Sequence, residues 1–183
     1  MMEKKIKYNC IQSLKEAGAP VIIVTLPEEA EAIANACRDN GITVLAFCDN
    51  ETRKLPERYC GLEVVHTPAL PKRFPKARLI IAYFNMQDCV DQLSALGYDE
   101  FYSPLELLKN YDVSKHKHRI SQSYMQNKIS VCIKSHELYF DEAKTYMRSL
   151  DIMITTKCSM KCESCSNLMQ YYVAAKNTDH EIL

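Results

Sequence analysis

Residues 20–25 read Pro20-Val21-Ile22-Ile23-Val24-Thr25, and the fold class hangs on them. The stretch is short, apolar and β-branched, the composition of a strand buried on both faces. The pattern then changes period. From Pro27 to Asn40, Ala30, Ile33, Ala34 and Cys37 fall on one side of an amphipathic helix. Gly41 closes that helix, and Ile42 to Phe47 gives a second buried strand. Further along, Leu62 to Val65 reads as a strand, and so does Arg78 to Phe84, centred on Leu79-Ile80-Ile81-Ala82. Met86 to Leu96 is helical with Gly97 as its stop, and Glu100 to Tyr102 makes a last short strand. Strands alternating with helices need crossover connections and hence a mostly parallel sheet, so the expected class is α/β with a Rossmann-like arrangement.

Composition narrows the function. The 183 residues carry 23 basic and 23 acidic side chains, which gives no electrostatic reason to expect a nucleic acid or an acidic membrane as partner. Hydrophobic residues make up 47%, enough for a packed core. No apolar run approaches the roughly 18–20 residues that span a bilayer. Met1-Met2-Glu3-Lys4-Lys5-Ile6-Lys7 is charged but is not followed by the apolar stretch of a signal peptide. Nine cysteines without such a signal point to a reducing compartment, and a cytoplasmic protein is expected.

From about Tyr111 the character shifts. Lys115-His116-Lys117-His118-Arg119 is a short basic run, read as a solvated surface rather than a phosphate contact. Helical spacing continues through Tyr124, Ile129, Val131, Cys132 and Leu138 to Met147, so residues 113–148 read as a linker with connecting helices. At Ser149 a third section begins. Leu150, Ile152 and Ile154 alternate with Asp151, Met153 and Thr155 as in a strand.

Directly beyond that strand lies Cys158-Ser159-Met160-Lys161-Cys162-Glu163-Ser164-Cys165, of the form C-x3-C-x2-C. At this cysteine content, one preset three-cysteine spacing arises somewhere in the chain with a chance of about 2%, so composition does not explain it. Three thiolates on one tight loop can ligate three irons of a [4Fe–4S] cube and leave the fourth without a protein ligand. An open metal position is what direct binding of a substrate or cofactor requires. A structural zinc knot completed by His180 or Cys132, or three inert thiols, are the other readings of the same residues.

The segment from Asp151 to Met169, with its strand, its Thr155-Thr156-Lys157-Cys158 approach and all three cysteines, resembles the opening of a radical S-adenosylmethionine (radical SAM) domain. The resemblance implies that Cys158, Cys162 and Cys165 are the iron ligands. It also implies that the open iron binds the amino and carboxylate groups of SAM. Reductive cleavage would then yield a 5′-deoxyadenosyl radical, with a reductant such as flavodoxin or ferredoxin supplying the electron. The family often has an aromatic residue just before the third cysteine, near the SAM adenine; Ser164 stands there in this chain. The site's placement agrees with parallel barrels, which carry their chemistry on loops after strand C-termini.

The resemblance divides the chain into residues 1–112, a Rossmann-like domain without a glycine-rich phosphate loop, residues 113–148, and residues 149–183, the start of a partial TIM barrel. After Cys165, Thr178-Asp179-His180-Glu181 reads as a capping box with Ile182 and Leu183 opening an apolar stripe. The further strands and glycine-rich SAM segment of the family are not in the sequence. The expectation is therefore a truncated radical SAM domain, inactive alone, with no catalytic side chain assigned.

The N-terminal region is also similar to domains that precede catalytic domains in bacterial surface-polysaccharide proteins, especially at Val44-Leu45-Ala46-Phe47-Cys48-Asp49-Asn50. That similarity implies a small-molecule or glycan-precursor substrate. Asp49 at the end of the second strand sits where a dinucleotide-binding unit holds its ribose. But Thr25-Leu26-Pro27-Glu28-Glu29 replaces the G-x-G-x-x-G loop. Thr25 to Glu28 forms a capping-box pattern, so the Glu28 carboxylate is expected at the helix N-terminus, where a phosphate would have to displace it. Pro27 removes one backbone N–H from any cradle. A scaffold or interaction domain is the expected role, with Asp49 as a strand-end turn residue. Cys37 and Cys48 are expected to be core thiols. Tyr171 and Tyr172 have two readings, as the lining of a cofactor pocket or as aromatics packed against the scaffold. His66, His116, His118 and His136 show no spacing of a triad or metal site.

Overall fold

The computed structural model describes residues 6–16, 19–50 and 57–141, together with Lys157 and Ala174. The apolar stretch Val21–Val24 forms β2, the centre of a seven-stranded sheet ordered β1-β7-β6-β2-β3-β5-β4. Around it lie β1 (Ile6–Lys7), β3 (Val44–Asp49), β4 (Arg58–Tyr59), β5 (Leu62–His66), β6 (Arg78–Ile81) and β7 (Phe101–Tyr102). Every pairing is parallel except β4 with β5. The helices are α1 (Ile11–Lys15), α2 (Ala30–Asp39), α3 (Leu70–Arg73), α4 (Met86–Ala95), α5 (Leu105–Lys109) and α6 (Gln122–Phe140). The chain contacts separate into two compact units, Met1–Tyr146 and Met147–Leu183, and all these elements belong to the first.

The sheet is doubly wound. From β2 the chain moves outward through β3 and β5, then crosses back to β6 on the other side of β2 and on to β7. Strand alternation sorts the side chains into two cores. Val21, Ile23, Phe47, Ile80 and Tyr102 pack beneath α1, α2, α5 and α6. Ile22, Val24, Ala46, Cys48, Leu79, Ile81 and Phe101 pack against α3 and α4. The register slips between Val21↔Val44 and Ile22↔Ala46, so β3 carries one extra residue there. Leu45 is that residue, and it is 45% exposed in an otherwise apolar strand.

The helix expected to be amphipathic is covered on every side. In α2, Ala30 to Cys37 are all buried, including Glu31 and Asn35. Its outer face is closed by α5, α6 and the segment that carries the basic run. Lys115, Lys117 and Arg119 of that run are exposed, as expected of a solvated surface, while His116 and His118 are half-buried. His116 Nε2 lies 2.8 Å from Asp39 Oδ2, and the Arg119 amide donates to Glu31 Oε2 at 3.3 Å. The His116 ring stacks on Tyr111, and the Arg119 guanidinium lies over the Tyr59 ring. Acidic partners remote in sequence thus tether the run through His116 and the Arg119 amide while its lysines stay exposed.

Helix α6 starts where Ser121 caps the Tyr124 amide, and it buries Met125, Ile129, Cys132 and His136 along one stripe. Of the helical spacing read from Tyr124 to Met147, α6 covers the part up to Phe140, and residues 142–148 lie outside the described residues. No helix among the described residues is long and apolar enough to cross a membrane.

Candidate functional site

Cys158, Cys162, Cys165 and Ser164, with Tyr171, Tyr172 and His180, lie outside the described residues. The described unit still bears on them through its other thiols. Cys10, Cys37, Cys48, Cys89 and Cys132 are buried, and Cys60 is half-buried. Burial pushes the Cys48, Cys60 and Cys89 thiols up to about 11 and Cys10 to about 12, and raises Cys37 and Cys132 as well. A metal ligand must be a thiolate, so these six are poor donors. Cys132, a candidate fourth ligand for zinc, is 3% exposed and sits in the α6 stripe inside the core. Among the described residues no three His, Cys, Asp or Glu side chains are grouped to hold a metal ion.

The described unit has its own recess at the C-terminal edge of the sheet, where β3 and β6 flank β2 and the loops after them separate. This is the topological switch point at which open parallel sheets bind ligands. The cavity is about 440 Å³ and is lined by Thr25, Leu26 and Pro27 after β2, Asp49 and Asn50 at the end of β3, Tyr83 after β6, and Asp88, Cys89 and Gln92 of α4.

The capping box expected across Thr25 and Glu28 does not form. Thr25 has φ +71°, left-handed for a β-branched residue, whereas a Thr cap needs extended backbone. Its Oγ1 is buried without a hydrogen-bond partner, and α2 begins at Ala30 without a side-chain cap. Glu28 instead pairs with Lys128 of α6 at 3.0 Å, which holds its carboxyl below the usual range. Asp49 takes over the loop: its Oδ2 accepts the Leu26 amide at 2.9 Å, while the Thr25 amide donates to the Cys48 carbonyl at 2.7 Å. Asp49 is a strand-end residue, as expected, and its carboxylate fixes the β2–α2 turn.

The rest of the lining is polar and uncharged or acidic. Asn50 and Gln92 exchange two hydrogen bonds, at 2.9 and 3.1 Å, across the mouth. Asp88 accepts from Asn85 at the start of α4. No lysine or arginine lines the cavity. The pairing of Asn50 with Gln92 across 42 residues leaves no local sequence signal, and neither does the left-handed turn at Thr25.

Comparisons of the chain with protein-family models, with curated proteins and with solved structures return no match.

The structure also shows a buried pair that residue spacing does not reveal. His136 and Ser103 are both 0% exposed, with Ser103 Oγ 3.0 Å from His136 Nδ1. Ser103 Oγ also accepts the Leu105 amide at 3.3 Å, so its own proton is directed to Nδ1. Neither residue lines the switch-point recess. The pair ties α6 to the loop after β7 and is structural. His116 and His118 likewise serve packing, His118 through the Tyr111 hydroxyl at 3.2 Å.

Proposed function

We propose that this chain is part of a radical SAM enzyme in which Cys158, Cys162 and Cys165 hold a [4Fe–4S] cluster. The observation that carries the reading is the C-x3-C-x2-C spacing directly after the alternating residues 150–155. The donor chemistry fits: three cysteines within one eight-residue segment supply three soft ligands, leaving one iron for SAM. The burial of five other thiols and the half-burial of Cys60 support the reading, because they disfavour the thiolate form of six competing cysteines. When bound, the cluster supplies an open iron and the electron for reductive cleavage of SAM.

Within this reading Ser164 lies beside the SAM adenine and offers a hydroxyl where the family often offers a ring. The expected reductant is a flavodoxin or ferredoxin, the expected location the cytoplasm, and the substrate class a sugar or surface-glycan precursor. The substrate assignment rests on the pattern of the N-terminal region alone.

The test is metal content after anaerobic reconstitution of the chain with iron and sulfide. About four irons and four sulfides per chain, with visible absorption, are expected. Cys158→Ala should abolish them, and Cys37→Ala and Cys89→Ala should not. One tightly held zinc and no iron would favour an interaction module with a zinc knot. Iron retained in Cys158→Ala would refute the ligand assignment.

A further inference from the structure

The switch-point recess is distinct in sequence from the cysteine loop, and its binding chemistry does not depend on the cluster. Its volume of about 440 Å³ falls within the roughly 300–1,000 Å³ typical of small-molecule sites. Three properties of its lining choose among ligand classes.

The first is the loss of a phosphate cradle. In doubly wound sheets an anion at this place is held by backbone amides after the first strand. Here the Leu26 amide is bonded to Asp49 Oδ2 at 2.9 Å, and Pro27 has no N–H. The second is charge. Asp49 and Asp88 line the cavity and no cation does, so nothing there neutralises a phosphate and two carboxylates repel it. A divalent cation fares little better, because no group of three ligating side chains exists among the described residues. The third is the mixture of donors and acceptors. Carboxylates accept from hydroxyls, the amides of Asn50 and Gln92 both donate and accept, and Tyr83 offers a ring beside the apolar Leu26 and Pro27.

We propose that this recess binds an uncharged sugar ring through its vicinal hydroxyls and discriminates against phosphate at that position. Asp88 and Gln92 contact the hydroxyls. Asp49 is a positioning residue that keeps the β2–α2 loop in its left-handed turn and its amide out of reach. The ring can come from a free saccharide or from the ribose of a nucleoside, which share this chemistry.

The test is a ¹⁵N–¹H correlation titration of the chain with N-acetylglucosamine, uridine, uridine monophosphate, inorganic phosphate and magnesium, each to millimolar concentration. N-acetylglucosamine or uridine should shift the amides of Leu26, Asn50 and Gln92, and which of them binds identifies the source of the ring. Uridine monophosphate should bind no more tightly than uridine. Asp88→Ala and Gln92→Ala, both at exposed positions, should weaken binding at least tenfold with the rest of the spectrum unchanged. The proposal is overturned if neither neutral probe moves these amides. It is equally overturned if phosphate or magnesium alone moves them, if the monophosphate binds tenfold tighter than uridine, or if folded variants bind like the wild type.

Discussion

His136 makes the stability of the α/β unit pH-dependent in a way that can be worked out beforehand. The side chain is 0% exposed on α6, with Nδ1 bonded to Ser103 and Nε2 buried without a hydrogen bond. Burial pushes its pKa down to about 4; the nearby Tyr83 backbone favours the charged ring but does not offset the desolvation. The unfolded chain takes up the proton near pH 6.5. Above that value the ring is neutral in both states and contributes no pH dependence. As pH falls from about 6.5 to 4 the unfolded state binds a proton that the native state refuses, and stability declines by about 3 kcal/mol in total. That is a large share of the roughly 5–15 kcal/mol available to a domain. Carboxylates of the unfolded chain also take up protons as pH falls towards 4, so the informative quantity is a difference between variants. His136→Asn keeps a polar atom near Ser103 Oγ and does not titrate. Urea unfolding followed by far-ultraviolet circular dichroism should show the wild-type advantage over His136→Asn shrinking by about 2 kcal/mol between pH 7 and pH 5. A difference that stays constant across that interval would mean that the buried ring titrates as in the unfolded chain, and the desolvation of His136 would have no consequence for stability.

Other consequences come from packing and backbone geometry. Phe47→Ala should cost about 3–5 kcal/mol in urea unfolding, because Phe47 is 0% exposed, whereas Leu45→Ala at the bulge should cost less than about 1. Gly97 has φ +93° with nothing within 4 Å of an added Cβ, so Gly97→Ala should destabilise by about 1 kcal/mol through backbone strain alone, with Gly97→Asn milder. In native chain at about pH 8, Cys10, Cys37 and Cys132 should resist iodoacetamide and label only after denaturation, as read by peptide mass mapping. Equal labelling in both states would contradict their placement in the core.

The centre of the sheet is readable in the sequence because each signal is local. Val21–Val24, Arg78–Ile81 and the helix ending at Gly41 are short, apolar or punctuated stretches whose period needs no distant information. The two-residue β1 and β4 escape such a reading, being too short to show alternation and held by partners elsewhere, such as Ile6 by Phe101. The basic run is legible in part: its lysines and Arg119 are exposed as their charge suggests, but its tethers to Asp39, Glu31 and Tyr59 involve no sequence neighbour. The Thr25–Glu28 pattern satisfies the capping rule in residue type, but the left-handed turn at Thr25 and the claim of Lys128 on Glu28 override it. The cysteine loop stands out for the opposite reason. Three cysteines at fixed spacing are a local pattern, whereas the Asp49–Leu26 and Asn50–Gln92 contacts that shape the switch-point recess exist only after folding.

Everything proposed for the cysteine loop turns on whether Cys158, Cys162 and Cys165 hold a cluster with one iron open to SAM. Electron paramagnetic resonance on the reconstituted, reduced chain, recorded with and without SAM, addresses both halves of that statement at once. The expected result is a reduced [4Fe–4S] signal that SAM perturbs and that Cys162→Ala abolishes. Absence of any cluster signal, with zinc bound in its place, would contradict it.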